Sequence, residues 1–222
     1  MSSDFEVAHR TSVSPERLPG WLIRFAERHG DFASRVVPDA LWLTAQDGAR
    51  ARLVNRWEPC TAGTADDFVV HVGRPRLFGL LLVRKGADAV GVAAGGELIA
   101  HRVSTHHVQG RTGAGGWSQQ RYARRRANQT ARAYRSAADD AWEVLVPHLA
   151  GLVALVTGGD RAGVLAVLAD PRLAKIAGLA QHHPILPVPE ARLTVLVAAA
   201  QTARKVPIEL NAGAIVRHQA AG

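Results

Sequence analysis

One cysteine, Cys60, occurs in 222 residues, which excludes an internal disulfide and fits a reducing compartment. A half-buried, inert thiol is the expected state of such a residue, in preference to a reactive one. Aromatic residues make up only 5% of the chain. The longest apolar runs, around Leu149–Val156 and Val195–Ala200, are too short to span a bilayer. The opening stretch, Met1–Arg10, is mixed and polar and lacks the pattern of a secretory signal. These absences together predict a cytoplasmic protein. The most telling lack is of negative charge. Between Leu98 and Ala138 there is no Asp or Glu, yet Arg102, Arg111, Arg121, Arg124, Arg125, Arg126, Arg132 and Arg135 all fall there. That segment carries the equivalent of the whole chain's formal net charge of +8, so the remainder is balanced and the basicity is local. With a sequence pI near 10.9, the concentration points to nucleic acid as partner. An anionic membrane surface is the rival, but Tyr122, Tyr134 and a few alanines are too thin an apolar face for an inserting helix.

What is present is enough for a buried core: 47% of residues are apolar, mostly Ala, Val and Leu, and one domain of this length is ordinary. Residues 1–13 read as a flexible N-terminus. Ser14-Pro15-Glu16 opens a helix with an apolar stripe at Leu18, Trp21, Leu22 and Phe25, closed by Gly30. Ala51–Asn55 and Phe68–Val72 read as short strands. Leu77–Val83 is a continuous apolar run expected of a strand covered on both faces. Lys85-Gly86-Ala87-Asp88 turns it, Ala89–Ala94 forms a second strand, and Gly95-Gly96 turns into a third over Glu97–Thr105. A long helix follows over roughly Ser118–Leu149, with an inner face through Tyr134, Ala138, Ala141, Trp142, Leu145 and Leu149. Gly151–Gly159 is a buried strand, and Asp160 caps a helix through Leu168. Asp170-Pro171 starts another short helix, and a last helix spans Glu190–Lys205 before a closing strand at Pro207–Leu210. The sum is α/β, a single domain over 14–210 with a mixed β-sheet flanked by helices, a protruding Gly-rich loop and a long basic helix. Residues 211–222 are left as a flexible tail.

The loop reads Gly110-Arg111-Thr112-Gly113-Ala114-Gly115-Gly116-Trp117-Ser118-Gln119-Gln120 and runs straight into Arg121-Tyr122-Ala123-Arg124-Arg125-Arg126. Glycine lets a backbone approach another polymer closely, and guanidinium groups suit phosphate. It is not a nucleotide cradle. A Gly-Lys-Ser/Thr sequence and a nearby magnesium-holding carboxylate are both missing. The glycines at 110, 113, 115 and 116 also lack the dinucleotide spacing. The bland alternative is a flexible connection before a solvated helix face. Such faces are laced with both signs at i,i+4 spacing, whereas here the arginines repel one another with no acid among them, which favours an external anion.

Other candidates weaken on inspection. The pairs His106-His107 and His182-His183 lack the cysteines or acids of a zinc set and read as turn or phosphate-contact residues. Asp139-Asp140 sits mid-helix, expected on the outer side. Ser104 and Ser118 have histidines nearby in sequence but no acid to orient them, so a serine triad is not expected. No metal and no cofactor is implied.

Phe78–Val83, the meander, Gly113–Arg126 and Ala154–Asp160 together resemble the middle, catalytic domain of eukaryotic and archaeal class-one peptide release factors. In that domain a Gly-Gly-Gln loop precedes a helix beginning Ser-Ala-Leu-Arg-Phe-Ala-Arg. The resemblance covers residues 76–180. In register, Trp117 stands where those factors have glutamine, and glutamine follows two positions later. The resulting Gly116-Trp117-Ser118-Gln119 is similar to the Gly-x-x-Gln motif of the Vms/ANKZF-like release factors, and of their bacterial branch in particular. The resemblance implies a peptidyl-tRNA hydrolase that frees nascent chains from obstructed ribosomes, and with no evident codon-reading domain in the sequence its action is expected to be codon-independent. It implies Gln119 as the catalytic amide with Gln120 as the fallback, and Gly115 and Gly116 as the backbone that inserts into the peptidyl transferase centre. Trp117 would stack on a base or anchor the loop, while Arg111, Arg121, Arg124, Arg125, Arg126 and Arg132 would hold RNA. The partners so implied are large-subunit rRNA and peptidyl-tRNA, with no membrane and no DNA, and the protein acting as a monomer. A non-catalytic rRNA- or tRNA-binding assembly factor is the competing reading.

Overall fold

The computed structural model describes residues 5–61, 63–106, 117–179 and 184–215, the side chains of 117–123 excepted. Strand β1 (His9–Val13), helix α1 (Leu18–His29), strands β2 (Phe32–Val37), β3 (Ala40–Ala45) and β4 (Arg50–Val54) and helix α2 (Ala65–Gly73) come first. Strands β5 (Leu77–Arg84), β6 (Ala87–Ala94) and β7 (Glu97–Thr105) lead to helix α3 (Trp117–Leu145). Strand β8 (Ala154–Gly159), helices α4 (Arg161–Leu168), α5 (Ala174–Ala177) and α6 (Leu193–Arg204), and strand β9 (Val206–Leu210) complete the order. Contacts divide the chain into two compact units, Met1–Arg74 with Arg204–Gly222, and Pro75–Ala203. The span 14–210 contributes to both.

The first unit is a five-stranded antiparallel sheet in the order β1-β9-β4-β3-β2. Alternation sends Leu41, Leu43, Ala51, Leu53, Val206 and Ile208 to one face, where Leu18 and Phe25 of α1 and Phe68 and Val72 of α2 complete a buried cluster. The sequence reading does not include strands β2 and β3, and three further features here differ from it. Residues 9–13 form an edge strand, which periodicity does not reveal because four of the five are exposed. The closing strand β9 belongs to this sheet, pairing with both β1 and β4. The β-branched run through Phe68–Val72 is helical. Thr64 accepts from the Asp67 amide at 3.1 Å, fixing a helix start, and Phe68 and Val72, one turn apart, are both buried.

The second unit holds a four-stranded mixed sheet in the order β7-β6-β5-β8, with β8 parallel to β5 and the other pairs antiparallel. This is the mixed sheet flanked by helices expected from sequence. The turns at Lys85-Gly86 and Gly95-Gly96 use positive-φ glycines. Asp88, however, lies inside β6 and not in the turn. On one face, Leu81, Val83, Val90 and Val92 meet Ala137, Ala138, Ala141 and Leu145 of α3, with Val164, Val167, Leu173 and Ile176 of the following segments. Small alanines let α3 lie close to the strands. Trp142, expected on the inner face, is instead 44% exposed: a ring of that size does not fit against a sheet approached through alanines. On the opposite face, Leu196 of α6 comes within 3.1 Å of where a Cβ on Gly91 would stand. The glycine pair ends β8 as expected: Gly159 has φ +93°, and a Cβ there would meet the Val83 carbonyl at 2.1 Å. Asp160 then caps α4 through the Ala162 amide at 3.1 Å.

Candidate functional site

The acid-free segment spans β7 after its first residue, residues 106–116, and about the first three-quarters of α3. Arg111, Gly115 and Gly116 lie outside the described residues, as do His107, His182 and His183. Trp117 begins α3, so the backbone of Gln119, Gln120 and Arg121 belongs to its first turn. Arg124, Arg125 and Arg132 are exposed and Arg126 half-buried along the same helix. Among the described residues none of these four meets a carboxylate, consistent with the absence of acids at i±4.

The second half of α3 is different. Asp139 is exposed and accepts from Arg172 Nη2 at 2.7 Å, but Asp140 is buried and faces the sheet, a correction to its expected outer position. The alternation of β7 aims Arg102 and Ser104 at it. Arg102 Nη1 donates to Asp140 at 3.1 Å and also engages Glu143, and the Ser104 hydroxyl donates to the other Asp140 oxygen. Of the eight arginines, Arg102 is therefore neutralised by the fold and does not belong to the free basic surface. Next to this group, His106 Nε2 donates to Asp88 Oδ1 at 2.6 Å. Asp88 is fully buried, and its Oδ2 has no partner among the described residues. Burial raises its pKa from the usual 3.8 to about 6, with the His106 hydrogen bond opposing and the neighbouring Asp140 charge reinforcing. Two carboxylates thus fix this part of the sheet, one bonding His106 just past β7 and the other tying β7 to the second half of α3.

Sequence reasoning missed this pairing because the acids are distant in the chain: 88 from 106, and 140 from 102 and 104. Ser104 does have an acid, contrary to expectation. Yet Ser104 bonds Asp140 while His106 bonds Asp88, and no Ser–His bond joins them among the described residues, so the arrangement is not a nucleophile–base–orienter relay. Cys60 is buried, more deeply than the half-buried thiol expected from sequence. Among the described residues no group of three or more His, Cys, Asp or Glu side chains is arranged to hold a metal ion. No described helix is long and apolar enough to cross a membrane.

The family model acVLRF1, described as the Actinobacteria/chloroflexi VLRF1 release factor, matches residues 76–209, more than half of the chain. The chain belongs to this VLRF1 release-factor family. The match takes in the whole mixed sheet, the acid-free segment and α3, and it begins at the residue before β5. A crystal structure of the archaeal translation termination factor aRF1 is similar at 13% identity with a TM-score of 0.42, covering 86% of this chain and 73% of that one. No curated protein matches the sequence. Within the VLRF1 segment, the acids that could balance the arginines are gathered at the docked end of α3, leaving its starting half cationic.

Proposed function

We propose that the protein is a peptidyl-tRNA hydrolase, a codon-independent release factor that cleaves the nascent-chain ester on stalled ribosomes or large subunits, as in ribosome-associated quality control. The observation that carries this reading is the VLRF1 family match across a segment in which Gly116-Trp117-Ser118-Gln119 leads into an acid-free arginine helix. The large subunit and peptidyl-tRNA are the partners, with the protein acting in the cytoplasm as a monomer.

Hydrolysis of the ester at the tRNA 3′ end needs a water held in line with the carbonyl and a donor for the tetrahedral oxyanion. The Gln119 amide both donates and accepts without ionising, so it positions the water. A backbone N–H at Gly115 or Gly116 serves the oxyanion. The terminal ribose hydroxyl relays the proton, so no protein base is required, and positioning is the main contribution. Arg111, Arg121, Arg124, Arg125, Arg126 and Arg132 bind RNA phosphates, and Trp117 stacks on a base or walls the pocket.

The test is release of peptide from ribosome-bound and from free peptidyl-tRNA by purified protein. Gln119→Ala is expected to lower release by about 100-fold or more, the scale of losing one transition-state donor, with ribosome binding retained. Gln120→Ala should retain most activity. Release that is unchanged by Gln119→Ala and lost with Gln120→Ala would move the catalytic amide by one residue. Absence of release by the unmodified protein would leave only RNA binding.

A further inference from the structure

The first unit contains a cavity that the release chemistry does not use. It measures about 310 Å³ and opens where edge strand β1, the turn into α1 and the start of β9 converge. Its lining includes Arg17, Arg24 and Lys205, the hydroxyl residues Ser12 and Ser14, and the indole of Trp21. Among the described residues no carboxylate lines it. Two acids close in sequence to the lining residues are engaged elsewhere: Glu16 is ion-paired with Arg204, and Glu209 accepts from Arg10 and Arg52 at 3.2 Å each. Among the described residues neither Arg17, Arg24 nor Lys205 has a carboxylate partner.

Three cations held around one concavity repel one another, and that repulsion is relieved when an anion enters. The two guanidinium groups offer forked donors matched to phosphate oxygens, the ammonium adds a point charge, and the serine hydroxyls can donate as well. Trp21 stacks on Phe25 at a centroid distance of 5.4 Å, which holds the indole in place while it also forms part of the cavity wall. A fixed aromatic beside a cationic pocket is the arrangement that takes a base and its phosphate together. The volume lies at the small end of ligand pockets, enough for a single nucleotide unit.

We propose that this cavity binds one phosphorylated nucleotide unit, with Arg17, Arg24 and Lys205 on the phosphate and Trp21 against the base. The RNA strand and a free mononucleotide share this chemistry. The site shares no residue with the arginine helix and takes no part in ester cleavage. Ser12, Ser14, Arg17, Trp21 and Arg24 all precede the stretch matched by the VLRF1 family.

The experiment uses the full chain carrying Arg124→Glu and Arg125→Glu, so that RNA contact by α3 is suppressed. Its affinity is measured for a fluorescently labelled five-residue oligoadenylate RNA, for AMP and for adenosine, across a salt series. The same series is run with Arg24→Gln and Lys205→Gln added, and separately with Trp21→Leu; circular dichroism confirms that each variant is folded. The charge variant is expected to bind the oligonucleotide about tenfold more weakly, with a log K against log salt slope shallower by about 0.7 for each lost phosphate contact. Trp21→Leu should weaken binding and leave that slope unchanged. Oligonucleotide bound more tightly than AMP identifies an RNA strand as the ligand, and equal affinities identify a mononucleotide. Adenosine bound as well as AMP, no binding of either nucleotide ligand, or a charge variant with unchanged affinity and slope would overturn the proposal. None of these readouts depends on peptide release, so loss of the hydrolase reading would leave the result interpretable.

Discussion

The two halves of α3 obey opposite rules. From Ala133 to Leu145 the helix is built for the fold: Ala137, Ala138, Ala141 and Leu145 are buried against the mixed sheet, and Asp139, Asp140 and Glu143 each receive an arginine. From Arg124 to Arg132 it carries four arginines, no acid, and no carboxylate partner among the described residues. A single helix thus has one end whose charges the protein itself pairs and one end whose arginines have no carboxylate partner among the described residues. The difference teaches that net charge is the wrong scale for locating a binding surface. Arg102 and Arg124 count equally in the formula, but only the second is available to a ligand.

The sharpest way to break this contrast is to place a charge in the docked half. Ala141→Asp puts an unpaired carboxylate into a fully buried position, and the cost of such a group, even after its pKa adjusts, should exceed about 3 kcal/mol. Denaturant unfolding followed by circular dichroism would read it. A loss below 1 kcal/mol would mean that the second half of α3 is not docked as described.

A smaller effect, tied to pH, tests the buried Asp88 carboxyl. Asp88 has its pKa raised to about 6 in the folded protein, above its unfolded value, so the folded state holds the proton more tightly. Its contribution to stability is therefore full below pH 4 and is lost as pH rises through 6. His106, the residue after β7, and Asp140 of α3 are the charged groups that act on it. Asp88→Asn cannot ionise, so its stability relative to the unmodified protein should improve between pH 4 and pH 7.5, by up to about 3 kcal/mol. Unfolding midpoints for the pair at the two pH values check this. A constant gap would show that the Asp88 carboxyl is not desolvated.

The mixed sheet and its meander were legible because continuous apolar runs and paired glycines mark strands and turns locally. The Asp160 cap and the Gly158-Gly159 strand end were legible for the same reason. The edge strand β1 was not, since its stability comes from backbone pairing with β9 nearly two hundred residues away. The sequence pattern at Phe68–Val72 suggested a strand because β-branched residues dominate it, while a capped helix with two buried positions decided otherwise. The Arg102–Asp140–Ser104 and His106–Asp88 contacts were invisible for a further reason. Each joins residues whose roles are ordinary alone and become specific only when β6, β7 and α3 are brought together. The acid-free segment was readable because an absence over forty residues needs no tertiary information.

The smallest effect on stability should come from the other half of α3, and there the contrast is tested most directly. Arg124 and Arg125 are exposed and touch no carboxylate among the described residues, so Arg124→Ala with Arg125→Ala removes no stabilising contact and relieves some repulsion along the helix. Unfolding free energy should stay within about 0.5 kcal/mol of the unmodified protein for each substitution. Ribosome or RNA affinity should fall, and the slope of log K against log salt should become shallower by about 1.4 to 1.8, one released counterion set per lost phosphate contact. A charge that served folding would show the reverse signature, lower stability with an unchanged slope. If both stability and slope were unchanged, the starting half of α3 would be a solvated face and the asymmetry of the helix would have no ligand behind it.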